Sequence, residues 1–255
     1  MSIIHIQHIC KNYRQQRVID DVTLEIKAGS FFGLIGANGA GKTTLIKCLL
    51  DFCEIDQGQI ELFKLSHTNP LARAQLAFLP EHFTPPKHLT GKDFLIYMAK
   101  MHGHTYNATQ VQAMCQTLDF TVMTLKQSVR DYSKGMAQKL GLMACLLSGK
   151  SLLILDEPMD GLDPKARAYF KRYLLQLKKQ NVTLFFSTHL LADVETLCDQ
   201  MAILHEGRLH FVGTPETCCT YFATADLEQA YLRCIGANRE THPVSTVSGV
   251  TSDFR

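Results

Sequence analysis

Eight consecutive residues concentrate the chemistry of the first third of the chain: Gly36-Ala37-Asn38-Gly39-Ala40-Gly41-Lys42-Thr43, followed by Thr44. Glycines at this spacing let the backbone turn tightly, so that successive N–H groups face one centre and suit an anion with several oxygens. Lys42 adds a cation for the β- and γ-phosphates, and Thr43 a hydroxyl able to ligate Mg²⁺. The order is that of a Walker A phosphate loop. A second reactive group follows at Leu152-Leu153-Ile154-Leu155-Asp156-Glu157, four apolar residues closed by two carboxylates. Successive strand side chains point to opposite faces, so the two acids can take different tasks. Asp156 suits Mg²⁺ through its water shell, and Glu157 suits a proton from an attacking water. Alone, such a pair could equally be an exposed turn; with a phosphate loop in the same chain it reads as the other half of one site.

These groups need elements to hold them. Phe31 to Ile35 is a compact apolar run leading into the glycine loop, and Thr43 to Leu50 reads as the helix that follows. Strand, loop and helix in that order aim the positive helix end at the anion. Leu152 to Leu155 and Val182 to Phe186 are apolar strands flanking a charged helix over about Pro164 to Lys179, the βαβ rhythm of a parallel sheet. Ile3 to Ile9 alternates apolar and polar, as do Val22, Leu24 and Ile26, and residues 58–63 and 75–79 also read as strands. From about Pro85 to Ser148 apolar residues fall at helical spacing, which predicts a largely helical insertion. Met201 to Leu204 and Leu209 to Val212 flank Glu206-Gly207 as a hairpin, and the Ser/Thr-rich stretch from Asn238 is expected to be loose.

The bulk properties narrow the classes. The 255 residues are 46% apolar and 20% charged, with a formal net charge of +2, and the charges are interspersed. That is no basic stripe for nucleic acid. Nine cysteines without a CxxC pair read as reduced thiols of a cytosolic protein rather than a disulfide framework. Met1 to His8 has neither the basic start nor the apolar stretch of a signal peptide. No run approaches the roughly 18–20 apolar residues that cross a bilayer. His102 with His104, and Cys218 with Cys219, lack convincing metal-ligand spacing.

At this point the chain resembles the ABC ATPase family over roughly residues 3–215. The resemblance implies an α/β fold: a P-loop NTPase core with a mainly parallel sheet, an N-terminal antiparallel β subdomain and an inserted α-helical subdomain. It implies a single domain over residues 1–237, with the nucleotide-binding core in 1–85 and 151–215, the helical signature subdomain in 86–150, and a polar, flexible tail over 238–255. Tyr13 stands where the family places an aromatic ring under adenine. Tyr132-Ser133-Lys134-Gly135-Met136 stands at the signature sequence, ahead of a helix over Met136 to Leu147. Ser133 and the Gly135 N–H suit a γ-phosphate there, while Lys134 and Met136 depart from the usual Gly and Gln. The variant resembles the export-type branch.

Glu81, in Phe78-Leu79-Pro80-Glu81, occupies a position usually held by Gln; it can ligate Mg²⁺ and accept from water but cannot donate as an amide does. Gly161-Leu162-Asp163 matches the D-loop along a subunit interface, and His189, after Ser187-Thr188, would hydrogen-bond the γ-phosphate. The cofactors implied are ATP and Mg²⁺. The partners implied are a second ATP-binding subunit, most simply a copy of this chain, and a separately encoded transmembrane permease that holds the protein at the cytoplasmic face of the membrane. No nucleic acid is expected. Two alternatives stay open: a soluble ABC-type ATPase not coupled to transport, and a low-activity regulatory partner subunit.

Overall fold

The computed structural model describes residues 1–236, and the tail expected from Asn238 lies outside the described residues. The chain opens with two long strands, β1 (Ser2–Tyr13) and β2 (Gln16–Lys27), joined by a two-residue turn in which Arg14 has φ +56°. After them come β3 (Phe31–Ile35), α1 (Lys42–Leu49), β4 (Gln57–Leu62), β5 (Leu65–Ser66) and β6 (Leu76–Leu79). The middle is helical: α2 (Gly91–Met101), α3 (Ala108–Thr117) and α4 (Lys134–Leu146), with short 3₁₀ turns between the last two. The chain then alternates through β7 (Leu152–Asp156), α5 (Pro164–Lys178), β8 (Thr183–Thr188) and α6 (Leu191–Leu197). It closes with β9 (Gln200–His205), β10 (Arg208–Gly213), α7 (Pro215–Tyr221) and α8 (Leu227–Gly236). The last three helices were not expected from the sequence.

The strands form two sheets. One is antiparallel, in the order β2-β1-β4-β5; the other runs β10-β9-β3-β8-β7-β6 and is parallel except for its β10 edge. This is the α/β fold expected. Every residue of β3, β7 and β8 is buried, as befits parallel strands covered on both faces. Alternation then divides the core. Phe31, Ile35, Leu153, Leu155, Leu184 and Phe186 pack towards the helical segment and α5, whereas Phe32, Leu34, Ile154 and Phe185 pack towards α1 and the antiparallel sheet. The parallel sheet is therefore the wall between two apolar cores, and the ends of β3, β8 and β7 emerge side by side at its rim.

The helical segment is anchored by its caps. Thr90 and Asp93 form a reciprocal capping box on α2, and Asn107 caps α3. Ser133 caps α4, accepting from the Met136 N–H at 3.2 Å, so this helix begins at Lys134, two residues earlier than expected. The apolar signal first becomes continuous at Met136, and the polar cap turn ahead of it is not visible to apolar spacing.

Candidate active site

The turn between β3 and α1 holds the phosphate loop. Gly36 is locked by position: a Cβ there would lie 2.4 Å from the Leu204 carbonyl oxygen. Gly41, at φ +108°, opens α1 in a conformation that disfavours side-chain-bearing residues, and no side chain caps the helix. The first amides of α1 are left facing the loop. Ala37, Asn38 and Gly39 are exposed at the rim, while Ala40 is buried and its carbonyl accepts from the Gly207 N–H at 3.1 Å.

Lys42 is only 6% exposed, yet its ammonium is well provided for. It donates to the Gly36 and Ala37 carbonyls at 2.7 and 3.2 Å and lies 3.1 Å from Glu157 Oε1. A buried cation with three oxygens around it is held in place rather than expelled. Glu157 is itself buried, and its other oxygen lies 3.0 Å from His189 Nδ1. Lys42, Glu157 and His189 thus make a continuous row drawn from α1, from the end of β7 and from the end of β8. Asp156 and Glu157 are 1% and 5% exposed, which excludes the solvent-facing turn left open by the sequence.

Ser187 fixes the Asp156 carboxylate and the backbone of Glu157. Its hydroxyl donates to Asp156 Oδ1 and accepts from the Glu157 N–H at 2.9 Å. Glu157 sits at φ +47°, a left-handed turn unusual for a residue with a side chain; it swings the carboxylate off the strand line towards Lys42 and His189. Asp156 Oδ2 accepts from Thr43 Oγ1 at 2.8 Å. Both groups are hard oxygen donors, the kind that Mg²⁺ takes directly or through its own water. The Thr43–Asp156 pair therefore fits Mg²⁺. Tyr13, Asn38, Gly39, Gly41, Lys42, Thr43, Thr44, Glu81 and Glu157 line one crevice of about 470 Å³, together with Val18. The Tyr13 ring is half exposed there, and Glu81 reaches the same space.

The family model described as "ABC transporter" matches residues 19–160. The chain belongs to this family. It carries an ABC-type ATPase domain, in keeping with the fold. An uncharacterized ABC transporter ATP-binding protein of Synechocystis sp. is 35% identical over 84% of this chain and 63% of its own length. The bacitracin transport ATP-binding protein BcrA of Bacillus licheniformis is 35% identical over 82% of this chain and 68% of its own. The chain spans just under two thirds of the length of the first curated relatives it matches. Among solved structures, an ATP-binding subunit of an ABC transporter superposes with a TM-score of 0.83 at 29% identity, covering 91% of this chain and 99% of that one. The cassette MJ0796, in a dimeric post-hydrolysis state with ADP and Pi, shares the fold at a TM-score of 0.75 and 15% identity, over 83% and 98% of the two chains.

The family's remaining motifs lie elsewhere on the surface. Ser133, Lys134, Gly135 and Met136 are not among the residues lining the phosphate-loop crevice. Lys134 and Gly135 lie against Gly161 of their own chain: a Cβ on Gly135 would lie 2.7 Å from the Gly161 carbonyl oxygen. Leu162 is buried, and Asp163 caps α5 by accepting from the Ala166 N–H at 2.9 Å. Asp163 also pairs with Lys139 of α4 at 2.9 Å. The Ala166 amide and the Lys139 ammonium together hold its carboxyl at about 2, below the usual carboxylate range. Two positions escaped the reading of single residues. Ser187 was visible only as part of a Ser-Thr-His strand end, and Lys139 as one polar residue within an apolar helix; neither role has a local signature.

Proposed function

We propose that this chain is the ATP-hydrolysing subunit of an ABC exporter. In this reading two copies close head to tail around Mg-ATP and drive a separate membrane-spanning permease. Residues 1–85 and 151–215 act as the nucleotide-binding core, and 86–150 carries the signature to the partner copy. The observation that carries it is the separation of the two half-sites. Lys42, Thr43 and Glu157 line one crevice, with Asp156 bonded to Thr43 and His189 to Glu157, while Ser133 and Gly135, at the N-terminus of α4, do not line it. A phosphate gripped by both needs a second subunit.

The roles follow from the contacts. The loop amides and Lys42 bind the phosphates and balance the charge that develops on the transferred group. Bound Mg²⁺, held by Thr43 and by Asp156 through water, supplies further neutralisation of the phosphate oxygens. Glu157 accepts the proton of the attacking water, and His189, bonded to Glu157, links that base to the γ-phosphate. Tyr13 offers its exposed face to adenine, and Glu81 orients water or metal at the edge of the crevice. Contacts from both subunits to the γ-phosphate persist only while it is attached, so cleavage releases the closed state.

No helix among the described residues is long and apolar enough to cross a membrane. In this reading a separate permease spans the bilayer and holds this chain at the cytoplasmic face. The name of the bacitracin transport relative and the Tyr132-Ser133-Lys134-Gly135-Met136 variant support export. Glu157→Gln tests the proposal. Hydrolysis is expected to fall at least about 100-fold with ATP affinity retained, because a general base contributes on that scale. Light scattering is expected to report a dimer at saturating Mg-ATP. A variant that stays monomeric under those conditions, or hydrolyses at the unaltered rate, overturns the reading.

A further inference from the structure

The end of α1 brings two thiols together beside the nucleotide crevice. The helix closes with Asp51 at φ +60° and the Phe52 N–H bonded to the Lys47 carbonyl at 2.8 Å, a left-handed reversal of the chain. That reversal lays Cys53 against Cys48, sulfur to sulfur at 3.4 Å. Cys48 is wholly buried, and burial pushes its thiol up to about 12. Cys53 is half-buried and is the sulfur a reagent can reach. The Tyr13 hydroxyl faces Cys53, and this neighbour, with burial, raises the phenol above its ordinary value. Lys11 lies 5.5 Å from the Tyr13 ring and 3.2 Å from Asp56, and its charge acts on the Cys48 thiol against the effect of burial.

We propose that Cys48 and Cys53 form a reversible thiol–disulfide site for a low-molecular-weight disulfide, and that its oxidation displaces the Tyr13 ring. The second half rests on the reading of Tyr13 as the adenine platform. In the first step the Cys53 thiolate attacks one sulfur of the small disulfide. The small S–S bond breaks, a mixed disulfide forms on Cys53, and the first small thiolate leaves with the proton that Cys53 released. Cys48 then gives up its proton and attacks the Cys53 sulfur. The Cys48–Cys53 bond forms, and the second small thiol leaves carrying that proton. Two protein thiols are oxidised and one small disulfide is reduced to two thiols.

The geometry explains both reversibility and consequence. The bridge closes a loop of only a few residues, so little chain entropy favours it and small thiols reopen it. A disulfide needs its sulfurs about 2.05 Å apart. Closing from 3.4 Å must move the sulfurs and takes the S–H proton from Cys53, so the neighbour that the Tyr13 hydroxyl faces is changed. The rim of the crevice then loses a fixed ring, although the phosphate loop is untouched.

The test uses the full chain equilibrated with glutathione and glutathione disulfide over a range of ratios. Peptide mapping is expected to find a peptide linking Cys48 to Cys53, lost in Cys48→Ser and in Cys53→Ser. Oxidised protein is expected to bind a fluorescent ATP analogue about tenfold more weakly, on the scale of one aromatic stack, and dithiothreitol restores the affinity. Only mixed glutathione adducts, or links among other cysteines, at every ratio overturn the site. A linked peptide with unchanged affinity overturns the coupling to Tyr13. Tyr13→Ala, measured reduced, separates the two readings: unchanged affinity there sinks the platform while the linked peptide still forms.

Discussion

The phosphate-loop cluster and the signature segment are built on opposite plans. Around Lys42 buried charge is gathered from separate elements: the ammonium meets backbone carbonyls and Glu157, and Glu157 meets His189. Around Ser133 the bonds are local and exposed: a cap on its own helix, and a close contact of Gly135 with the D-loop. The difference teaches that the first region is assembled by tertiary structure within one chain. The second is a presented surface, finished on its inner side and open on its outer side.

Breaking each region separately is the sharpest test of that contrast. Lys42→Ala removes a buried charged contact, and ATP affinity is expected to fall about 10- to 100-fold in a titration. Ser133→Arg leaves the phosphate loop of the same chain intact, so its initial ATP binding is expected to persist while hydrolysis collapses. Mixing the two variants then leaves one composite site whole per mixed dimer, and part of the activity returns. If the mixture is no more active than either variant alone, the two half-sites do not meet across subunits.

His189→Ala is expected to lower kcat about 100-fold, with little change in ATP affinity, because it acts through the buried base. An effect confined to affinity would move His189 out of the catalytic row and make it a binding contact. Asp163→Ala probes the inner side of the signature region. It removes the α5 cap and the partner of Lys139, and about 1 kcal/mol of stability is expected to go with the cap, read as a lower melting temperature at neutral pH. The folded carboxyl is held at about 2, below its unfolded value near roughly 4. Its contribution is therefore complete above the unfolded value and lost as pH falls through the folded one. The gap between wild type and variant should close in strong acid; a gap constant down to that range would assign the loss to packing alone. The smallest effect is expected for Glu81→Gln, which keeps the oxygen that faces the crevice. Turnover within about twofold of wild type is the expectation, and a collapse would show that the carboxylate charge itself is needed.

Local pattern was enough for much of the active site. The glycine loop, Lys42, Thr43 and the Asp156-Glu157 pair announce themselves because tight turns and buried strand ends demand particular residue types at fixed spacing. The expected α/β fold followed from the same signals. The start of α4 did not, since a cap is polar and apolar periodicity cannot register it. Nor did α6 and α7, which are short and take their stability from packing, nor α8, although its apolar residues do fall at helical spacing.

The sequence by itself determined which residues offer loop amides, a cation and acidic oxygens, because those capacities belong to side-chain chemistry and to backbone turns of a few residues. Only the tertiary structure decided which of them meet. Ser187 meets the Asp156 carboxylate and the Glu157 backbone because β7 and β8 are neighbours in the sheet, and Lys139 finds Asp163 because α4 lies against the start of α5. Cys53 lies on Cys48 because the chain reverses after α1. Such meetings depend on distances through space that are fixed by burying two apolar cores against one sheet, and no single stretch of residues encodes them.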